Sequence, residues 1–136
     1  MSNALYDTGR NAFLNAGINY GSDTIKMVPV TSGYTVNLAT DQYLSIIGSN
    51  TVGTAQVLSG KSSSAGVATC AAITFSSVPG GSTIIAFVVY KDTGVAGTSQ
   101  LIAYIDTLAN GSVNIPTNGG NIVVTPDSGP NALFKL

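Results

Sequence analysis

Glutamate, histidine and tryptophan are missing from this chain, cysteine occurs once, and only eleven of 136 side chains carry charge. Without histidine no Ser-His-Asp or Cys-His nucleophilic arrangement can be built, and a single cysteine leaves the usual zinc ligand sets incomplete. Cys70 also has no partner for an intrachain disulfide. Charged residues make up 8% of the chain, against about 25% in an ordinary soluble domain. The surface must therefore be finished with Ser, Thr, Asn, Gly and exposed apolar atoms. Such a surface reads as one to be covered by other protein. The expectation is a structural component, not an enzyme, with no cofactor and no metal.

The remaining charges exclude more. A net charge of −1 gives no broad basic face, and the five cations, Arg10, Lys26, Lys61, Lys91 and Lys135, are scattered, so no nucleic-acid partner is expected. Near-neutrality also means weak repulsion between copies, which favours association. The longest apolar run, residues 84–90, falls far short of the about 20 residues of a membrane helix, so no membrane partner is expected. Met1-Ser2-Asn3-Ala4-Leu5-Tyr6-Asp7 has neither a basic nor an apolar leader region, and cytoplasmic synthesis is the expectation. With no histidine, no unperturbed side chain changes charge between about pH 5 and 8, so association is expected to be nearly flat over that interval.

What is present suits one domain spanning residues 1–136: the chain is 44% hydrophobic and has positive mean hydropathy. Leu5, Ala12, Phe13 and Ala16 recur near a 3.6 spacing, predicting a helix over about 2–16, capped by Ser2 or Asn3 and ended by Gly17. A β-rich body follows over about 24–136. Residues 24–28 read as a strand stopped by Pro29, hence an edge or a bulge. Residues 40–47 read as a two-turn helix stopped by Gly48. Strands are then expected over 52–58, 66–75, 83–90, 100–107, 112–115, 121–125 and 132–136. Their punctuation is Pro79-Gly80-Gly81, Asn110-Gly111, Asn118-Gly119-Gly120 and Ser128-Gly129-Pro130. The fold class is mainly β: an antiparallel β-sandwich or barrel-like domain with a short N-terminal helix. In 101–106, Leu101, Ala103 and Ile105 alternate with Ile102, Tyr104 and Asp106, predicting one buried and one partly exposed face. Residues 84–90 show no alternation and call for cover on both faces, from the helix or a neighbouring subunit.

The chemistry-bearing residues read as structural. The six aspartates, Asp7, Asp23, Asp41, Asp92, Asp106 and Asp127, stand singly, mostly in expected caps and turns. Gly60-Lys61-Ser62 lacks the glycine of a phosphate loop, since Ala55 stands five residues earlier. No Asp-x-Asp-x-Asp-Gly calcium loop occurs, and Asn110-Gly111-Ser112 reads as a hairpin turn before it reads as a glycosylation acceptor. Cys70, in an apolar stretch with no neighbouring cation, reads as a buried thiol. Tyr90 and Tyr104 read as packing residues of paired strands, with sugar or peptide stacking as the alternative.

Several strings carry a resemblance: Ser2-Asn3-Ala4-Leu5-Tyr6-Asp7 at the start, Tyr34-Thr35-Val36-Asn37-Leu38-Ala39-Thr40 with Asp41-Gln42-Tyr43-Leu44, Tyr90-Lys91-Asp92-Thr93-Gly94, the run from Thr98 to Asp106, and Phe134-Lys135-Leu136 at the end. Over most of its length the chain resembles a group of small tailed-phage virion proteins. The resemblance implies a head decoration or cement protein on the outside of the capsid, with the major capsid protein as partner. A homo-oligomer is expected, a trimer being the natural guess for a local threefold. Candidate contact residues are Leu5, Tyr6 and Phe13 near the N-terminus and Leu133, Phe134 and Leu136 at the C-terminal strand. The alternatives are a tail, fibre or connector component, or a small carbohydrate-binding β-domain using Tyr90 or Tyr104.

Overall fold

The computed structural model describes residues 4–108, 111–126 and 133–136. The chain runs β1 (Ala4–Leu5), α1 (Asp7–Leu14), β2 (Ile25–Thr31), a 3-10 turn (Leu44–Ile46), β3 (Gln56–Val57), β4 (Ser62–Ser64), β5 (Val67–Thr69), β6 (Ile73–Phe75), β7 (Thr83–Lys91), β8 (Leu101–Ile105), β9 (Thr107–Leu108), β10 (Gly111–Ser112), β11 (Ile115–Pro116), β12 (Ile122–Val124) and β13 (Phe134–Lys135). The protein is mainly β and every named pair is antiparallel. A central sheet is ordered β1-β8-β7-β2-β3, with β11 added to one end of β7. Smaller sheets are β13-β5-β4, β12-β6 and β10-β9.

The apolar run of β7 is covered on both sides within the chain itself. On one face Ile84, Phe87 and Val89 join Ile25, Met27, Ile102 and Ile105 and pack against Ile73 and Phe75 of β6, Val124 of β12, Ala68 of β5 and Phe134 of β13. On the other face Ala86, Val88 and Tyr90 join Val28, Val30, Leu101 and Tyr104 and are covered by Tyr6, Tyr34 and Ile47. The cover thus comes from the small sheets, with Ala12 and Phe13 of α1 beside them, on one side, and from the segment around residues 34–55 on the other.

Two bulges overturn the simple alternation. Val89 pairs with Ala103 and Tyr90 with Leu101, so Ile102 is the extra residue. Leu101 then shares a face with Tyr104, while Ile102, Ala103 and Ile105 share the opposite one. All five are buried, which corrects the expected partly exposed face. A second skip, at Ile85, lies opposite Val30 and Thr31.

Pro29 does not stop its strand. Ile25–Thr31 runs straight through it, paired with β7 along its length. Strand alternation turns the odd-numbered backbone groups away from β7. There Pro29 needs no N–H: its carbonyl accepts from the Val52 N–H at 3.2 Å, in a stretch where the next strand has thinned to an isolated bridge.

The helix is shorter than its pattern. Ala4 and Leu5 pair with Tyr104 and Ala103 instead of starting a helix, because the edge of β8 satisfies their backbone and the core takes Leu5. Tyr6 becomes the cap, and the candidate caps Ser2 and Asn3 lie outside the described residues. The helix ends at Leu14 with Asn15 as its C-cap, and Ala16 follows with a left-handed φ of 60°. The Gly17 N–H then returns to the Ala12 carbonyl at 2.7 Å and the Ala16 N–H to Phe13 at 3.2 Å, a Schellman closure. The expected helix over 40–47 reduces to the 3-10 turn, since Tyr43 bridges to Gln100 in extended form. Strand 66–75 is divided into β5 and β6, with Cys70 buried between them. Asp127, the 128–130 turn, Ala132 and Asn110 of the Asn-Gly turn lie outside the described residues.

Candidate functional site

About half of the charged side chains pair with one another. Lys26 pairs with Asp92 at 3.0 Å, Lys91 with Asp23 at 3.3 Å and Arg10 with Asp7 at 3.2 Å, so six of the eleven charged side chains are spent in three ion pairs. The Asn19 N–H first, and the Lys91 ammonium beside it, hold the Asp23 carboxyl below its ordinary range. Hydrogen bonding from Lys26 does the same for Asp92. Asp41 is buried. Among the described residues no group of three or more His, Cys, Asp or Glu could hold a metal ion.

Asp41 anchors a polar chain under the 34–47 segment. Its carboxylate accepts from the Tyr34 hydroxyl at 2.7 Å and from the Asn37 N–H at 2.9 Å. The Tyr34 and Tyr6 hydroxyls are 2.8 Å apart, and Thr8 donates to the Asp41 carbonyl at 2.8 Å. Burial, then the bonds to Asp41 and Tyr6, push the Tyr34 phenol far above its ordinary range, and burial raises Tyr6 as well. With every partner satisfied and the groups enclosed, the arrangement fixes a loop onto a sheet.

The candidate contact residues divide. Leu5, Tyr6, Leu133 and Phe134 are buried in the chain's own core, which corrects their assignment as outward contacts: the first two were drawn in by pairing with β8, the last two by pairing with β5. Phe13 is half-buried and Leu136 exposed. Tyr90 and Tyr104 are also enclosed, at 4% and 6% exposure. Burial raises the Tyr90 phenol to about 12, and neither ring offers a face on which a sugar could stack. Cys70 is raised by burial to about 11, so its thiolate is scarce at neutral pH.

Three of the six meet at one groove. Phe13 and Ala16 from the end of α1, Ile18 to Gly21 from the following turn, Ser63 to Gly66 and Ala68 from the β4–β5 hairpin, and Phe134 with Leu136 enclose about 610 Å³. Its floor is aromatic: Phe134 lies 5.5 Å from Tyr20, edge-on, and 6.1 Å from Phe13. Tyr20 donates to the Thr69 carbonyl at 2.8 Å, and the Lys61 ammonium sits 5.7 Å above the Tyr20 ring. No lining side chain is charged. Sequence reasoning found Phe13, Phe134 and Leu136 from their apolar character but missed Tyr20, Ser63 and the hairpin. The signal for the hairpin was the Ala65-Gly66 dipeptide between two strand-like runs.

The hairpin leaves an open edge. Ser64 pairs with Val67 across the two-residue loop, Ser63 with Ala68 and Ser62 with Thr69. A two-residue hairpin closes on a hydrogen-bonded pair, so alternation turns the N–H and C=O of Ser63 away from β5. The Ala68 carbonyl points the opposite way, accepting from the Leu133 N–H at 3.0 Å. Among the described residues β4 is the last strand of its sheet, and all three of its serines are exposed. Comparison with known protein families, with curated proteins and with solved structures finds no match.

Proposed function

We propose that the chain is a structural virion protein of a tailed phage, a decoration or cement protein that binds the outside of the assembled head. The observation that carries the reading is the state of the surface: charges are scarce and six of the eleven are paired within the chain, while Leu14, Tyr43, Ile46, Val57, Val95, Val123 and Leu136 are exposed. Covering such a surface strands few ions away from water, and desolvation of unpaired charge is the term that most opposes burial of a polar surface. The resemblance of Ser2 to Asp7, the Thr98 to Asp106 run and Phe134 to Leu136 to small phage virion proteins supports the particle as the setting. The action is thermodynamic. A protein that binds only the closed shell stabilises that shell by mass action, and many weak repeated contacts add through avidity.

The test is particle binding. A labelled copy incubated with heads of the phage that encodes it, then imaged by cryo-electron microscopy, is expected to decorate the head surface in a regular array and to raise the temperature at which heads release DNA. Label confined to the tail or vertices, or no binding, overturns the proposal.

A further inference from the structure

We infer that β4 is a self-association edge, at which two copies pair antiparallel about a twofold axis passing between their Ser63 residues. The inference rests on the reading of the chain as an assembly component and names its partner: a second copy. The outward N–H and C=O of Ser63 have no bonding partner among the described residues, and an open strand edge is a template for another strand. Antiparallel pairing of β4 with itself places Ser63 against Ser63 of the second copy, each N–H donating to the other's carbonyl, in the closely spaced geometry of a hydrogen-bonded pair.

The side chains suit a twofold, which brings like against like. A charged edge repels its own copy, and natural edges are commonly guarded by Lys, Pro or a bulge. Ser62, Ser63 and Ser64 carry none of these. Lys61, the nearest cation in sequence, is engaged within its own chain, donating to the Asp23 carbonyl and lying over the Tyr20 ring. The opposite edge of the same sheet, β13, carries exposed Lys135 and lacks this neutrality. Serine also tolerates a serine directly across, through hydroxyl hydrogen bonding.

The groove gives the pairing its apolar component. Phe134, Ala68 and Ser63 are successive cross-strand partners and share one face of the sheet, the face that looks onto Phe13 and Tyr20. Self-pairing extends the row through Ser63 and Ala68 of the second copy. Six strands then form one sheet, and the two grooves lie on the same face of it, on either side of the axis. The twofold replaces the threefold expected from the virion resemblance.

The experiment is sedimentation velocity over a wide concentration range, with Ser63→Pro and Ser63→Lys alongside the unaltered chain and thermal unfolding as the folding control. Proline removes the donor that points outward while leaving the β4–β5 hydrogen bonds, so dimer formation is expected to move to concentrations about tenfold higher or more. Lysine puts like charges together at the axis, and its loss of dimer is expected to recover in high salt. Ser63→Lys keeps the test alive should Ser63→Pro not fold. A chain that stays monomeric throughout, or a dimer untouched by both variants or lost instead on Val123→Lys at the β12 edge, overturns the pairing. The two proposals fail separately: dimers that ignore phage heads remove the virion reading alone, and head binding by a chain monomeric at every concentration removes the twofold alone.

Discussion

The two faces of the central sheet are covered by different means. Small sheets cover one, and they bring side chains only: Phe75 stacks on Phe87 at 5.7 Å between centroids, and Ile73, Val124 and Phe134 fill in around them. The strands of those sheets pair with one another, β6 with β12 and β5 with β4 and β13. The segment over the other face, about residues 32–55, has little regular structure, so its polar backbone must find partners one by one. Asp41 supplies the Asn37 contact, Asn50 accepts from the Thr31 N–H at 2.9 Å, and two tyrosine hydroxyls run from the sheet side to the carboxylate. The regular layer is held mainly by apolar contact, and the irregular one by a buried polar anchor.

The largest expected effect lies on the first face. Phe87→Ala removes a fully buried ring that stacks on Phe75, and large-to-small changes of this kind cost about 3–5 kcal/mol. Urea denaturation is expected to show a lower midpoint with the slope unchanged and the same deficit at every pH from 5 to 11. A deficit below about 1 kcal/mol would mean that the small sheets drape over the face without packing on it.

An intermediate effect separates the faces by pH. Tyr34→Phe leaves the Tyr6 hydroxyl without its partner and the Asp41 carboxylate oxygen with the Asn37 N–H alone, at a cost of about 1–3 kcal/mol at pH 8. Tyr6, Tyr34, Tyr90 and Tyr104 all lie on this face, and burial raises each of them above its ordinary value. On the opposite face Tyr20 is raised by burial as well. A group whose folded pKa is raised contributes stability that is complete below its unfolded value of about 10 and is lost as pH climbs toward the folded value. The unaltered chain is therefore expected to lose stability steeply above pH 10, and Tyr34→Phe to lose it less steeply from a lower starting point. Equal alkaline slopes would show that the polar chain does not anchor the segment. On the acid side the sign reverses: Asp23 and Asp92 are lowered, so their contribution holds above about pH 4 and fades as pH falls through their folded values.

The same contrast explains what could be read from the sequence. Mainly β architecture followed from period-two apolar runs and turn residues, and the length of β7 from its unbroken hydrophobicity. Those signals are local. The bulge at Ile102 is not, because it is set by how β8 registers on β7, and it moved Leu101 to the opposite face from Ile102 and Ala103. Leu5 matched a helical spacing, and the pairing partner that took it, β8, lies almost a hundred residues away. At the groove, apolar character alone pointed to Phe13, Phe134 and Leu136, while the open backbone of Ser63 is a property of sheet order, invisible until β4 is known to be last.

The smallest effect belongs to neither face but to the hairpin beside the groove. Ala65 and Gly66 form its loop with φ of 53° and 80°, the backbone signs of a type I′ turn. Glycine at the second position meets the requirement freely. Alanine at the first holds its Cβ in the left-handed region, which costs roughly 1–2 kcal/mol in an L-residue. Ala65→Gly relieves that strain but adds freedom to the unfolded chain, which takes back about 0.5–1 kcal/mol. The net expectation is a gain of about 0.5 kcal/mol, read as a small rise in the urea midpoint. Gly66→Ala is expected to move it the other way, since φ of 80° disfavours any side chain while the nearest atom, the Leu136 carbonyl oxygen at 3.5 Å, leaves room for one. If both substitutions lower the midpoint, the loop is held by something other than its own turn geometry. The contrast with the sheet faces would then extend to the edge, with β4 kept in place by the groove and not by the turn that precedes β5.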